Sequence, residues 1–276
     1  MLNRKLVSFD WALKKLLRSK ANFEVLEGFL SELLKEDIQI EEVLESESNK
    51  MSSINKQNRV DLKIRNSKGE LVIIEIQYEH EYDFLQRILL SCSATISEHL
   101  DEGKSYFEVA KVISVNILYF NLGQGTDYIY HGTTRFRGIH QNDELELSQR
   151  QQEIFGKERV FQLYPEYYLL KINQFNDVAK DSLDEWIYFL KNAEIQPNFS
   201  AKGIHKAQET LNILKLDPAE RKAYQDYQND LHYQASMFLS SYGDGERDGI
   251  KVGMEMGIEL GVQEGLEKGK QLGVQE

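Results

Sequence analysis

The sequence predicts an α/β fold: a mixed sheet flanked by helices, then a helical C-terminal part and a glycine-repeat tail. Three stretches predict it. Residues 59–65 and 71–77 each alternate apolar and polar side chains with period two, the mark of strands with two unlike faces. Residues 82–100 carry Leu85, Ile88, Leu89, Cys92 and Ile96 at helical spacing. Residues 109–120 are almost continuously apolar, which suits a strand covered on both faces. A hairpin, a helix and a buried strand in that order build a mixed sheet with helical cover.

Taken in order, residues 8–19 read as a short helix with Ser8 as N-cap and Asp10 in the first turn, where a negative charge suits the helix dipole. Residues 22–35 read as a stronger helix, with Phe23, Leu26, Phe29, Leu30, Leu33 and Leu34 in a broad apolar stripe. Glu27 lies at the edge of that stripe and Glu24 points further out, at about 100° per residue. Residues 38–44 begin the sheet. The hairpin follows, and in it Asp61, Lys63 and Arg65 share one face of the first strand. In the second strand Leu71, Ile73, Glu75 and Gln77 share one face, and Val72, Ile74 and Ile76 the other.

The turn between the strands decides whether this hairpin is a site. A three-residue loop, Ser67-Lys68-Gly69, with Gly69 left-handed, pairs Arg65 with Leu71, Lys63 with Ile73 and Asp61 with Glu75. Two carboxylates then stand directly opposite each other, which costs stability unless something positive lies between them. A divalent cation such as Mg²⁺, typically held by one or two carboxylates plus water and phosphate oxygens, fits that description. A four-residue loop slips the pairing by one and sends the carboxylates to opposite faces. On the odd register Lys63 lies diagonal to Glu75, where it could reach the same water.

Beyond residue 120, residues 127–136 and 167–172 read as further strands, and from Leu183 the chain turns helical. Trp186, Ile187, Phe189 and Leu190 form one packing surface, and Asp217-Pro218 opens another helix with proline at its first position. In the tail, glycine recurs every fourth residue from Gly245 to Gly273. Each glycine costs a helix about 1 kcal/mol relative to alanine, so a frayed or conditionally helical extension is expected, one able to mediate self-association. The expected division is 1–180, 181–242 and 243–276.

The charge balance of −12 argues against wholesale coating of nucleic acid. Its distribution is uneven, however. Arg4, Lys5, Lys14, Lys15, Arg18 and Lys20 face one acid, Asp10, and Lys50, Lys56, Arg59, Lys63, Arg65 and Lys68 face Asp61 alone. These clusters are either solvated or placed to meet phosphates. Cys92 is the single cysteine, which excludes a disulfide framework or a Cys-based zinc site. No run reaches the roughly 18 apolar residues of a membrane span, and the N-terminus lacks a signal-peptide apolar core. A cytoplasmic location is expected.

The strand Asp61, the turn and the Glu75-x-Gln77 motif resemble the PD-(D/E)XK nuclease superfamily, and within it the recombination-promoting nuclease or putative transposase family. Ser8-Phe9-Asp10 with Lys14-Lys15-Leu16-Leu17, the strand ending Ile117-Leu118-Tyr119-Phe120, and the glycine repeat are similar to that family as well. The resemblance covers most of the chain, most tightly residues 5–125. It implies a PD-(D/E)XK restriction-endonuclease-like core and a metal-dependent DNA endonuclease acting in DNA recombination. Asp61 and Glu75 would hold Mg²⁺, with Mn²⁺ able to substitute, and the Ile76 carbonyl would be a further ligand. Such nucleases often add a helix-borne acid, for which Glu27 is the better placed; its alternative is an ion pair at the rim. Gln77 stands where the superfamily has lysine, as the family itself does, and orients water without carrying charge. Arg87 either holds a phosphate or makes a surface ion pair, and Arg59 and Arg65 would meet the DNA backbone. A relative that binds DNA without cutting, and an interaction protein assembled through its tail, are the competing readings.

Overall fold

A computed structural model describes residues 6–15, 17–44, 61–100, 103 and 105–273. Arg59 lies outside the described residues, as do Arg4, Lys5, Lys50 and Lys56 of the basic clusters. The chain forms two compact units, one through Leu216 and one from Asp217.

The first unit is built on six strands: β1 (Ile40–Leu44), β2 (Leu62–Asn66), β3 (Leu71–Gln77), β4 (Val112–Leu118), β5 (Ile129–Gly132) and β6 (Glu166–Lys171). Their order across the sheet is β1-β2-β3-β4-β6-β5. The β3–β4 and β4–β6 pairs are parallel and the other three antiparallel, so the sheet is mixed as expected. β4 sits near the centre and is buried at every residue, in keeping with its largely apolar run.

The hairpin takes the odd register. Arg65 pairs with Leu71 and Lys63 with Ile73. The amides of Asn66 and Gly69 close the loop onto the carbonyls of Glu70 and Asn66, at 3.0 and 2.9 Å. Gly69 is left-handed, with φ of 74°. The Asn66 side-chain oxygen adds bonds from the amides of Lys68 and Glu70, at 3.0 and 2.9 Å. A buried asparagine therefore sets the turn from inside and leaves glycine to take its tightest residue.

Helices cover both faces. On one face α3 (Phe84–Glu98) packs Cys92 against Leu71, Ile73 and Val112, and Phe84 and Ile88 against Leu118 and Phe120. That helix ends at Glu98, two residues short of the expected 82–100 stretch, and the His99 ring reaches back to the Thr95 carbonyl at 2.8 Å to close the last turn. On the other face Tyr119 donates to the carbonyl of Leu190 in α5 (Ser182–Asn192) at 2.6 Å. α1 (Phe9–Lys15), α2 (Phe23–Leu34) and α5 meet through a cluster of Phe9, Phe29, Trp186 and Phe189, with neighbouring ring centroids 5.5 to 6.5 Å apart. The short α4 (Gln149–Phe155) and α6 (Ile204–Thr210) complete the unit. α5, which buries Trp186 and Phe189, and α6, which buries Ile204 and Ala207, both fall within the first compact unit.

The second unit is one helix, α7 (Pro218–Gly273), of 56 residues. Asp217 and Glu220 cap its start reciprocally: the Asp217 carboxylate accepts from the Glu220 amide at 2.8 Å, and the Glu220 carboxylate from the Asp217 amide at 3.2 Å. The glycine repeat lies within this helix. Among the described residues, no helix is long and apolar enough to cross a membrane.

Candidate active site

The hairpin loop aligns Asp61 with Glu75, one step beyond the last paired residues Leu62 and Ile74. Asp61 also ends the ladder, for its Oδ2 accepts from the Ile76 amide at 2.7 Å. In an extended strand the amide and carbonyl of one residue point to the same edge, so the Ile76 carbonyl is directed toward the edge where Asp61 stands. Arg18, just past α1, donates from Nη2 to the Asp61 carbonyl at 2.5 Å.

Arg87, in the first turn of α3, supplies the positive charge that two facing carboxylates require. Its Nη2 pairs with Glu75 and also donates to Gln77 Oε1 at 3.2 Å. Its Nη1 forks onto Glu81, at 2.7 and 2.8 Å. Gln77 Nε2 donates to the same Glu81 carboxylate at 2.9 Å. Burial pushes the Arg87 pKa down, and the charge of Asp61 pulls it back up. Burial, then the like charges of Asp83 and Glu79, push the Glu81 carboxyl up. The phenyl ring of Phe84 sits 5.1 Å below the guanidinium. Asp61, Glu75, Gln77 and Arg87 are therefore brought together by the end of the hairpin and the start of one helix.

Three residues expected here are placed elsewhere. Glu27 accepts from the Ile40 amide at 2.8 Å. Ile40 pairs with Asn66, at the turn end of β2, roughly 16 Å from Asp61 at about 3.3 Å per residue. Arg65 lies at that same end, with its Nε buried and without a hydrogen-bond partner among the described residues. Lys63 shares the predicted sheet face, but it is only 6% exposed and reaches Glu98 at 2.5 Å. Glu98 closes α3, about 16 Å along the helix from Arg87. The expected reach of Lys63 toward Glu75 is corrected accordingly: its ammonium is taken up at the other end of the helix. Lys63→Ala should lower thermal stability by about 1–3 kcal/mol, since Glu98 is half exposed and can rehydrate. A Lys63→Ala melt that matches wild type would show that the Lys63–Glu98 pair carries no weight.

Sequence reasoning also missed residues. Glu81 gave no signal beyond being charged near the motif, and Arg18 was legible only as one member of the N-terminal basic cluster, not as a partner of Asp61. Asn116, beside Glu75 on β4, sat unremarked within an apolar run, where a lone amide was the available clue.

Among the described residues, no three His, Cys, Asp or Glu side chains gather as a metal-binding group. The donor set nonetheless suits Mg²⁺, which needs only one or two carboxylates and takes its other oxygens from water and phosphate. The Arg87 guanidinium, paired with Glu75 and Glu81, already balances carboxylate charge at this point of the fold.

Neither the curated proteins nor the solved structures gave a match to the chain. A family description did: PD-(D/E)XK nuclease family transposase, over residues 7–238. That span takes in both carboxylates, the glutamine, the arginine and every strand of the sheet, and the chain belongs to the PD-(D/E)XK nuclease family transposases.

Proposed function

We propose that the protein is a Mg²⁺-dependent DNA endonuclease, with Asp61 and Glu75 holding the metal and the Ile76 carbonyl as a further ligand. The observation that supports this reading is the odd hairpin register, which brings Asp61 one step past the Leu62–Ile74 pair with its Oδ2 on the Ile76 amide, next to Glu75 and the guanidinium paired with it. The metal, when bound, polarises the scissile phosphate and lowers the pKa of a water. The chain's own residues do the rest. Gln77 offers an amide that orients water by hydrogen bonds. Arg87 has a planar fork suited to phosphate oxygens, and Glu81 is the carboxylate that holds that fork in place. Arg18 is exposed and reaches Asp61, so it adds positive charge where a DNA backbone would pass.

Plasmid nicking in Mg²⁺ against EDTA tests the reading, with wild type beside Asp61→Asn and Glu75→Gln. Metal-dependent nicking that both substitutions remove supports it; its absence in wild type removes it. A relative that binds DNA without turnover is the second reading, favoured by the engagement of Lys63 with Glu98 and by the uncharged Gln77. It predicts salt-sensitive DNA binding in a protein that does not cut. Self-association through α7 is compatible with either, and truncation before Gly245 tests it by light scattering.

Arg87 gives a separate prediction. In EDTA, Arg87→Ala leaves Asp61 and Glu75 facing each other without a counter-charge, so its melting temperature falls below that of wild type. Mn²⁺ should raise that temperature by more degrees than it raises wild type, because the ion then replaces a missing charge. The slope of log binding constant against log salt for DNA should become shallower by about one. Equal metal-induced shifts in the two proteins would place Arg87 away from the metal.

A further inference from the structure

Asn116 is a buried asparagine in the middle of the central strand, 1% exposed. It is the Cα partner of Glu75 in the parallel β3–β4 pair. Neighbouring strands lie about 4.8 Å apart and paired residues face the same way, so its side chain flanks Glu75 on the β4 side. Its Nδ2 donates to Ser114 Oγ at 2.9 Å and to the Tyr168 carbonyl at 3.3 Å. A backbone carbonyl can only accept, which fixes the amide with its nitrogen toward β6. Oδ1 is therefore the free end, buried and without a partner among the described residues.

A buried amide oxygen without a donor is unfavourable, and a leucine of similar volume would avoid it. The orphan acceptor needs a donor; Glu75, its partner across the β3–β4 pair, is a carboxylate and has none to give, and the arginine paired with Glu75 is already engaged with Gln77 and Glu81. Water is the remaining donor small enough for the place.

We propose that Asn116 is a further residue of the Asp61–Glu75 site, its Oδ1 accepting a hydrogen bond from a water of the cation held there. This rests on the nuclease reading above. The amide positions that water without adding a third negative charge, and so strengthens ion binding less than a carboxylate would. Asn116 is thus a positioning residue.

The test uses the full chain and Mn²⁺ as probe. Asn116→Leu should bind Mn²⁺ about tenfold more weakly by calorimetry, in the range for partners that orient a metal's ligands. It should lose nicking by about tenfold or more. Its melting temperature in EDTA should stay within a few degrees of wild type, since the lost bonds to Ser114 and Tyr168 offset relief of the orphan. Asn116→Asp keeps the shape, adds charge, and should bind Mn²⁺ more tightly than wild type. Should Asn116→Leu fail to fold, the aspartate variant decides alone: affinity equal to wild type overturns the proposal. Wild-type Mn²⁺ affinity and nicking in a folded Asn116→Leu also overturn it and leave the nuclease reading standing. A wild-type chain that neither binds Mn²⁺ nor nicks removes both.

Discussion

Glu75→Gln should reduce Mg²⁺-dependent nicking by about two to three powers of ten while leaving the protein folded. The substitution preserves size and an oxygen for Arg87, and removes only the charge. A metal contributes several kcal/mol of transition-state stabilisation, and about 3–4 kcal/mol corresponds to roughly 100- to 1000-fold in rate. Stability should change far less. Arg87 retains both bonds to Glu81 when the Glu75 charge is gone, so no buried cation is stranded, and a loss of about 1–2 kcal/mol is expected. Asp61→Asn should behave alike, because asparagine can still accept from the Ile76 amide that the aspartate now satisfies. Nicking rates and thermal melts measured on the same preparations check both statements. A folded Glu75→Gln chain that nicks at the wild-type rate would falsify the assignment of the metal.

The second large effect concerns stability and has opposite signs in two helices. Helix propensity alone says that glycine to alanine gains about 1 kcal/mol in a helix interior. In α2, Gly28→Ala should instead destabilise the protein by about 1–3 kcal/mol or more. A Cβ there would stand 2.3 Å from the Lys202 carbonyl oxygen and 2.7 Å from Gly203 Cα. Both are backbone atoms of the segment entering α6, so neither can swing aside as a side-chain tip does. In α7, Gly257→Ala meets nothing within 4 Å and should raise helix stability by about the full propensity difference. Chemical denaturation of the first variant and circular dichroism of the second, each against wild type, measure the two signs. Stabilisation by Gly28→Ala would mean that the close crossing of α2 and the Lys202–Gly203 backbone does not hold in solution.

These two glycines mark the boundary between what was legible in the sequence and what was not. Period-two alternation on either side of Asn66-Ser67-Lys68-Gly69 was enough to predict both strands and the odd loop, since these are settled by contacts within one hairpin. The apolar run of β4 and the helical spacing in α2, α3 and α5 were equally local signals, and the elements lie where the spacing put them. Gly28 looked like an ordinary helix-interior glycine, because the backbone it touches is distant in sequence.

The amino-acid order by itself determined the α/β class and the hairpin register that brings Asp61 toward Glu75, for each follows from neighbours along the chain. Only the tertiary structure decided which cations serve that pair. Lys63 was adjacent in sequence and facing the right way, yet it is drawn to Glu98. Arg87 arrives from the start of α3, held by Glu81, and Asn116 from the neighbouring parallel strand. A long side chain's destination depends on the charge it meets across elements, and a parallel neighbour is chosen by the crossover, so neither can be read from local spacing.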